Sequence, residues 1–144
     1  MELGKNSAVT IAITSANGVA ATSDINGVTL DMQGFESVLM IVTFGVITGS
    51  AVTTIKAQQD SASGMGSAAD LLGTSQTIAD TDDEKTFYIH LVKPQERYVR
   101  LVVPRATQNA ASATYIQTGA KKAPTTHGTN VAGETHTSPI EGTA

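Results

Sequence analysis

The chain is 144 residues long, 40% hydrophobic and 15% charged, with a formal net charge of −4 and no cysteine. That length is one domain's worth and can bury a core without disulfide or metal support. The lack of cysteine excludes a disulfide framework, a thiolate nucleophile and a zinc ribbon, and the acidic balance (pI ≈ 5.2) argues against a general phosphate-neutralising surface for nucleic acid.

Residues 7–14 alternate Val9, Ile11 and Ile13 with Ala8, Thr10 and Ala12, the pattern of a half-buried strand. No basic stretch followed by an apolar run opens the chain, so no signal peptide is expected. The longest apolar run, 38–42, is too short to span a bilayer, and no membrane partner is expected. Asn17-Gly18 and Asn26-Gly27 read as turns, the second between Ile25 and residues 28–30. Residues 37–44 are nearly all apolar and lie between Gly34 and Gly45, which predicts a central strand covered on both faces.

Residues 51–59 make the next strand. A Ser-, Gly- and Ala-rich loop, 60–69, follows and ends in a helical turn around Asp70-Leu71-Leu72. Strands are predicted over 86–92 and 97–103, joined by a turn in which Pro94 fixes φ, and 112–118 closes the set. Seven or so short strands with turn signals between them predict a single all-β sandwich, jelly-roll-like or immunoglobulin-like. It occupies residues 1–118, including a short N-terminal arm. Residues 119–144 hold Pro124, Pro139 and several glycines, with Val131 and Ile140 as the sizeable apolar side chains. This stretch cannot build a core of its own and is expected to be an extended arm. Whatever orders it lies outside the segment: its own sandwich, a sister subunit or a larger shell.

Few residues suggest chemistry. His90, His127 and His136 lack a carboxylate at ligand spacing and read as surface side chains rather than a metal site. Asp80, Asp82, Asp83 and Glu84 lack the Gly and Glu of a calcium loop and read as a solvated hairpin tip. Residues 64–69 fit the relaxed Gly-x-Gly-x-x-Ala fingerprint, which carries meaning only inside a βαβ unit, so a flexible loop is expected. No catalytic set, cofactor or metal is predicted. Phe35, Phe44 and Phe87 read as core or core-edge residues; Tyr88, Tyr98 and Tyr115 read as core-edge residues with hydroxyls at the rim. The acidic cluster and the basic set Lys93, Arg97, Arg100, Arg105, Lys121 and Lys122 make a dipolar chain suited to protein–protein registration. The odd spacing of Arg97 and Arg100 places them on opposite faces of a regular strand. The expected interface set is Arg97, Arg100, Arg105, Tyr115, Lys121, Lys122, Pro124, Val131, Pro139 and Ile140.

Several short motifs occur in order: Lys56-Ala57-Gln58-Gln59, Asp70-Leu71-Leu72-Gly73-Thr74, Pro94-Gln95-Glu96-Arg97-Tyr98-Val99-Arg100, Arg105-Ala106-Thr107-Gln108-Asn109-Ala110 and the terminal Ser138-Pro139-Ile140-Glu141-Gly142-Thr143-Ala144. From about residue 51 onward the chain thereby resembles small tailed-bacteriophage virion proteins of the capsid decoration, or cement, type. The resemblance implies a non-enzymatic homotrimer on the outer capsid surface, made in the host cytoplasm, that fastens neighbouring major capsid protein assemblies. A head–tail connector or tail component is the alternative, and a ligand- or sugar-binding module the third class.

Overall fold

The computed structural model describes residues 3–15, 18–19, 21–47, 49, 53–105, 109–136 and 140–142. After a one-turn helix, α1 (Leu3–Asn6), the chain forms ten strands: β1 (Ala8–Ile13), β2 (Ile25–Asn26), β3 (Leu30–Asp31), β4 (Ser37–Ile47), β5 (Thr53–Asp60), β6 (Ala69–Asp70), β7 (Gln76–Ile78), β8 (Thr86–Val92), β9 (Tyr98–Val103) and β10 (Asn109–Thr118). One sheet has the order β1-β10-β4-β8. The other runs β2-β9-β5-β6, with β3 also on β9 and β7 also on β5. All pairings are antiparallel.

β2 and β3 share one flank of β9, and β6 and β7 share one flank of β5. Each pair is therefore one interrupted edge strand. Counted that way, eight strands form sheets in the order 1-8-3-6 and 2-7-4-5. First pairs with last, second with second-last, and so inward: an antiparallel ribbon rolled into two layers, the wiring of a jelly roll. Of the two sandwich topologies open at the level of sequence, the strand order selects this one.

The core lies between the sheets and is built from alternate residues. β4 supplies Val38, Met40, Val42 and Phe44, and β9 supplies Val99, Leu101 and Val103; all are buried. Phe44 meets Phe87 edge-on, with ring centroids 6.0 Å apart. β4 is central in its sheet, as expected, but only one of its faces is covered. Leu39 and Ile41 point outward and remain half-exposed. An all-apolar strand reads as two-sided because its sequence carries no polar alternation, yet only one neighbouring layer exists.

Two buried side chains of β10 tie the layers together. The Tyr115 hydroxyl crosses the core and accepts the Leu101 backbone N–H at 2.7 Å, and Gln117 Nε2 donates to the Asp31 carbonyl at 2.8 Å. The Tyr115 bond compensates for a defect in the other sheet. Ile25 pairs with Val103 and Leu30 with Val99, so one residue too many lies between them and the edge bulges at residues 27–29. Gly27 N–H still reaches the Leu101 carbonyl, but Val28 N–H turns to Ala12 in the opposite sheet. The Leu101 N–H is paired by the phenol instead. Asn26-Gly27 is thus a bulge rather than a hairpin turn. Burial raises the Tyr115 phenol pKa well above its ordinary value.

Other differences from expectation are local. Asp70 lies in a short strand and not a helical turn, because Ala69 and Asp70 pair with Gln59 and Gln58. α1, β3 and β7 have too few residues to show a period. Asn17 of the expected first turn lies outside the described residues. The loop after β5 is pinned rather than loose: the Asp60 carboxylate accepts the backbone N–H groups of Ala62 (2.9 Å) and Ser67 (2.8 Å), and Met65 is buried. The bond from Ala62, then that from Ser67, holds the Asp60 carboxyl below its ordinary pKa. A lowered folded-state pKa contributes stability above the unfolded value and loses it as pH falls through the folded one. Protection of the 61–68 amides relative to their intrinsic exchange is therefore expected to be high at neutral pH and to fall as pH drops below the usual carboxylate range, and Asp60→Asn to lower it already at neutral pH. Equal protection in wild type and variant would refute this account of the loop.

Candidate functional site

The antiparallel registers collect the loops at two poles of the sandwich. One pole gathers residues 32–36, 60–69 and 93–97 and the start of the arm; the other gathers 14–15, 18–19, 21–24, 79–85 and Arg105. At the first pole a groove of about 470 Å³ is lined by Lys93, Arg97 and Lys121 together with Glu36 and Glu96. The second pole carries Asp24, Asp80, Asp82, Asp83 and Glu84 against Lys85 and Arg105. The acidic cluster is a crossover between sheets, not a hairpin tip. Asp82 accepts Ala79 N–H and pairs with Lys85, and Asp83 accepts Ile47 N–H at 2.7 Å. The bond to Lys85 is the main reason the Asp82 carboxyl pKa lies below its ordinary value.

The basic residues have separate roles. Arg97 precedes β9, so strand alternation does not apply to it. It makes a two-pronged pair with Asp31 (2.9 and 2.7 Å), with its guanidinium carbon 5.1 Å from the Tyr98 ring centroid. Its bond is the leading reason that the Asp31 carboxyl pKa is lowered. Both partners are near half exposed, so solvent screening leaves the pair little net effect on stability. Arg100 lies on the outer face of β9 and donates to Gln58, which with Lys56 holds Asp70. These two arginines present charge at the surface. Arg105 does not: it is buried, donates to the carbonyls of Ser23 and Val19, and its backbone N–H meets Asp24. Burial lowers its pKa, with Asp24 opposing.

Arg105 fastens a loop, and Tyr115, with 0% exposure, is a core residue. Neither offers surface to a partner in this fold, which corrects both interface assignments and the placing of the Tyr115 hydroxyl at the rim. A polar atom on an inward-facing strand position leaves no trace in sequence unless its partner is known.

The arm follows a defined path. Gly119 turns with φ +68, where a Cβ would come within 2.7 Å of Glu36, and Lys121 N–H bonds to the Gly34 carbonyl. After Pro124 the arm runs parallel to β1 along its free edge. Thr125 bonds through N–H and hydroxyl to Lys5 and Ser7, Gly128 N–H donates to the Val9 carbonyl, and Val9 N–H donates to His127 Nδ1 at 3.1 Å. Of the possible sources of order, its own sandwich supplies this one. Strand addition of this kind leaves no apolar period to read, because backbone groups make the bonds. Lys121, Lys122 and Pro124 are exposed, Val131 is half-buried, and Ile140 is 95% exposed. Pro139 lies outside the described residues. His136 pairs with Glu134 at 3.0 Å, and among the described residues no three His, Cys, Asp or Glu side chains converge as a metal set.

The outer face of the first sheet was missed at the level of sequence. Cross-strand pairing sets Val9, Ile116 and Leu39 in one row and Ile11, Thr114, Ile41 and Tyr88 in the next. Tyr88 and Val92 are 64% and 62% exposed. Alternate residues of β8 carried a signal, since Tyr88 and Val92 share a parity opposite to buried Ile89.

No protein-family model matches the chain, and no curated protein matches it by sequence.

Proposed function

We propose that this protein is a structural, non-enzymatic component of a phage particle that binds the outer capsid surface and fastens neighbouring capsomers. The observation that carries the reading is the arm. Its proximal half is stitched to β1 by backbone bonds, while the distal part presents Ile140 at 95% exposure. The fourteen residues from Val131 to Ala144 can span roughly 45–50 Å when extended, enough to cross a seam between subunits. The order of the motifs from residue 51 onward supports the same reading, as does the acidic excess of the second pole. Three copies meeting at a junction of capsomers is the arrangement the resemblance implies. Many copies make the contact multivalent, so a weak single arm suffices.

Deleting residues after Gly128 tests this directly. The truncated chain keeps the segment that covers β1, so it is expected to fold with an unchanged melting temperature and to bind isolated capsids at least ~10-fold more weakly. Undiminished capsid binding would sink the clamp. Copy number separates this reading from the connector alternative: hundreds per particle accord with decoration, six or twelve with a ring at the portal.

A further inference from the structure

We propose that β8 is a self-association edge, through which two copies pair antiparallel about a two-fold axis and join their first sheets into one continuous eight-stranded sheet. The other sandwich edges are protected. The arm covers β1, the flank of β9 is bulged at Gly27, and the flank of β5 holds only the short strands β6 and β7. β8 is different: seven regular residues with no internal proline, lysine or bulge, and among the described residues no strand on its outer side. Such an edge is a template for another strand.

The ladder shows which groups are on offer. The Lys85 carbonyl and the Lys93 N–H both bond to the β4 side, at 3.1 and 2.7 Å. Odd residues therefore face β4, and the backbone groups of Thr86, Tyr88, His90 and Val92 face out. The Tyr88 carbonyl confirms the direction, since it accepts Gln76 Nε2 at 2.9 Å. A carbonyl oxygen has a second lone pair, so that bond leaves the rung open.

Two features select a second copy as the occupant. With His90 opposite His90 of the partner subunit, antiparallel pairing sets the exposed Tyr88 beside the partner's Val92, and the reverse, as direct cross-strand neighbours. The same antiparallel direction brings the acidic crossover at 80–84 of one copy towards the 93–97 loop of the other, and the two-fold axis makes the match twice. That loop carries Lys93 beside Glu96 and the Asp31-paired Arg97, so Lys93 is the cation on offer. The edge is about 24 Å long, at the low end of what specific interfaces use, so the dimer is expected to be concentration-dependent rather than obligate.

Sedimentation of the free full-length chain over micromolar to millimolar concentration tests the pairing without capsids, so its failure is separate from that of the virion reading. Wild type is expected to show a monomer–dimer equilibrium that weakens with salt. His90→Pro removes an outward N–H and leaves the β4 ladder intact; Val92→Lys places a charge on the edge. Both are expected to be monomeric with unchanged melting temperature, and the exposed position of Val92 keeps the test open if proline disturbs β8. Lys93→Glu is expected to weaken the dimer at least ~10-fold, and Glu84→Lys in the same chain to restore it. A monomer at all concentrations, or a trimer whose mass neither edge variant alters, would overturn the pairing.

Discussion

Replacing Met40 or Val42 with aspartate is expected to abolish soluble folded protein. Both side chains have 0% exposure and sit on the covered face of β4, between β10 and β8. A carboxylate there has no cationic partner within the apolar core, and it either stays charged without solvent or takes up a proton at a cost. Losses above about 4–5 kcal/mol belong to this class of substitution, against a total stability of ~5–15 kcal/mol for a domain. The neighbours make the control. Ile41→Asp changes the same strand by one position, on the outer face, and is expected to remain folded and soluble. Soluble expression with the wild-type circular dichroism spectrum reads out each variant. Equal loss at positions 40, 41 and 42 would mean that β4 is covered on both faces after all.

The second large effect is at the tie between the layers. Tyr115→Phe deletes the hydroxyl that accepts the Leu101 N–H and leaves that donor buried and unpaired, which costs about 1–3 kcal/mol. Gly27→Ala acts from the other side: its Cβ would lie 2.6 Å from the Tyr115 hydroxyl and 2.9 Å from the Leu101 carbonyl, so the bulge must shift by a similar cost. The two changes share an atom. In the double variant the phenol oxygen is gone and only the clash with backbone remains, so the loss is expected to be smaller than the sum of the singles. Denaturant unfolding of the four proteins measures the coupling. Strict additivity would show that the phenol does not fill the rung opened by the bulge.

What was legible in the sequence were the features with local causes. Alternation in 7–14, the β-branched stretches at 37–44, 86–92 and 97–103, and the composition of 119–144 follow from backbone sterics and local apolar content, so the strands and the arm could be placed without a partner strand. The tertiary structure decided everything that depends on which strand lies beside which. Leu39 and Met40 are both apolar, and only the layer on one side of β4 makes one a core residue and the other part of an outer face. Asn26-Gly27 has the sequence of a turn, and the pairing of Ile25 and Leu30 with a common strand turned it into a bulge. Tyr115 and Arg105 resemble surface side chains until the phenol finds Leu101, 14 residues away, and the guanidinium finds Ser23, 82 residues away. Long-range polar bonds of this kind have no period and no composition. The docking of the arm and the open edge of β8 are made of backbone groups, which every residue but proline carries alike, so only the fold determines which of them are left to bind.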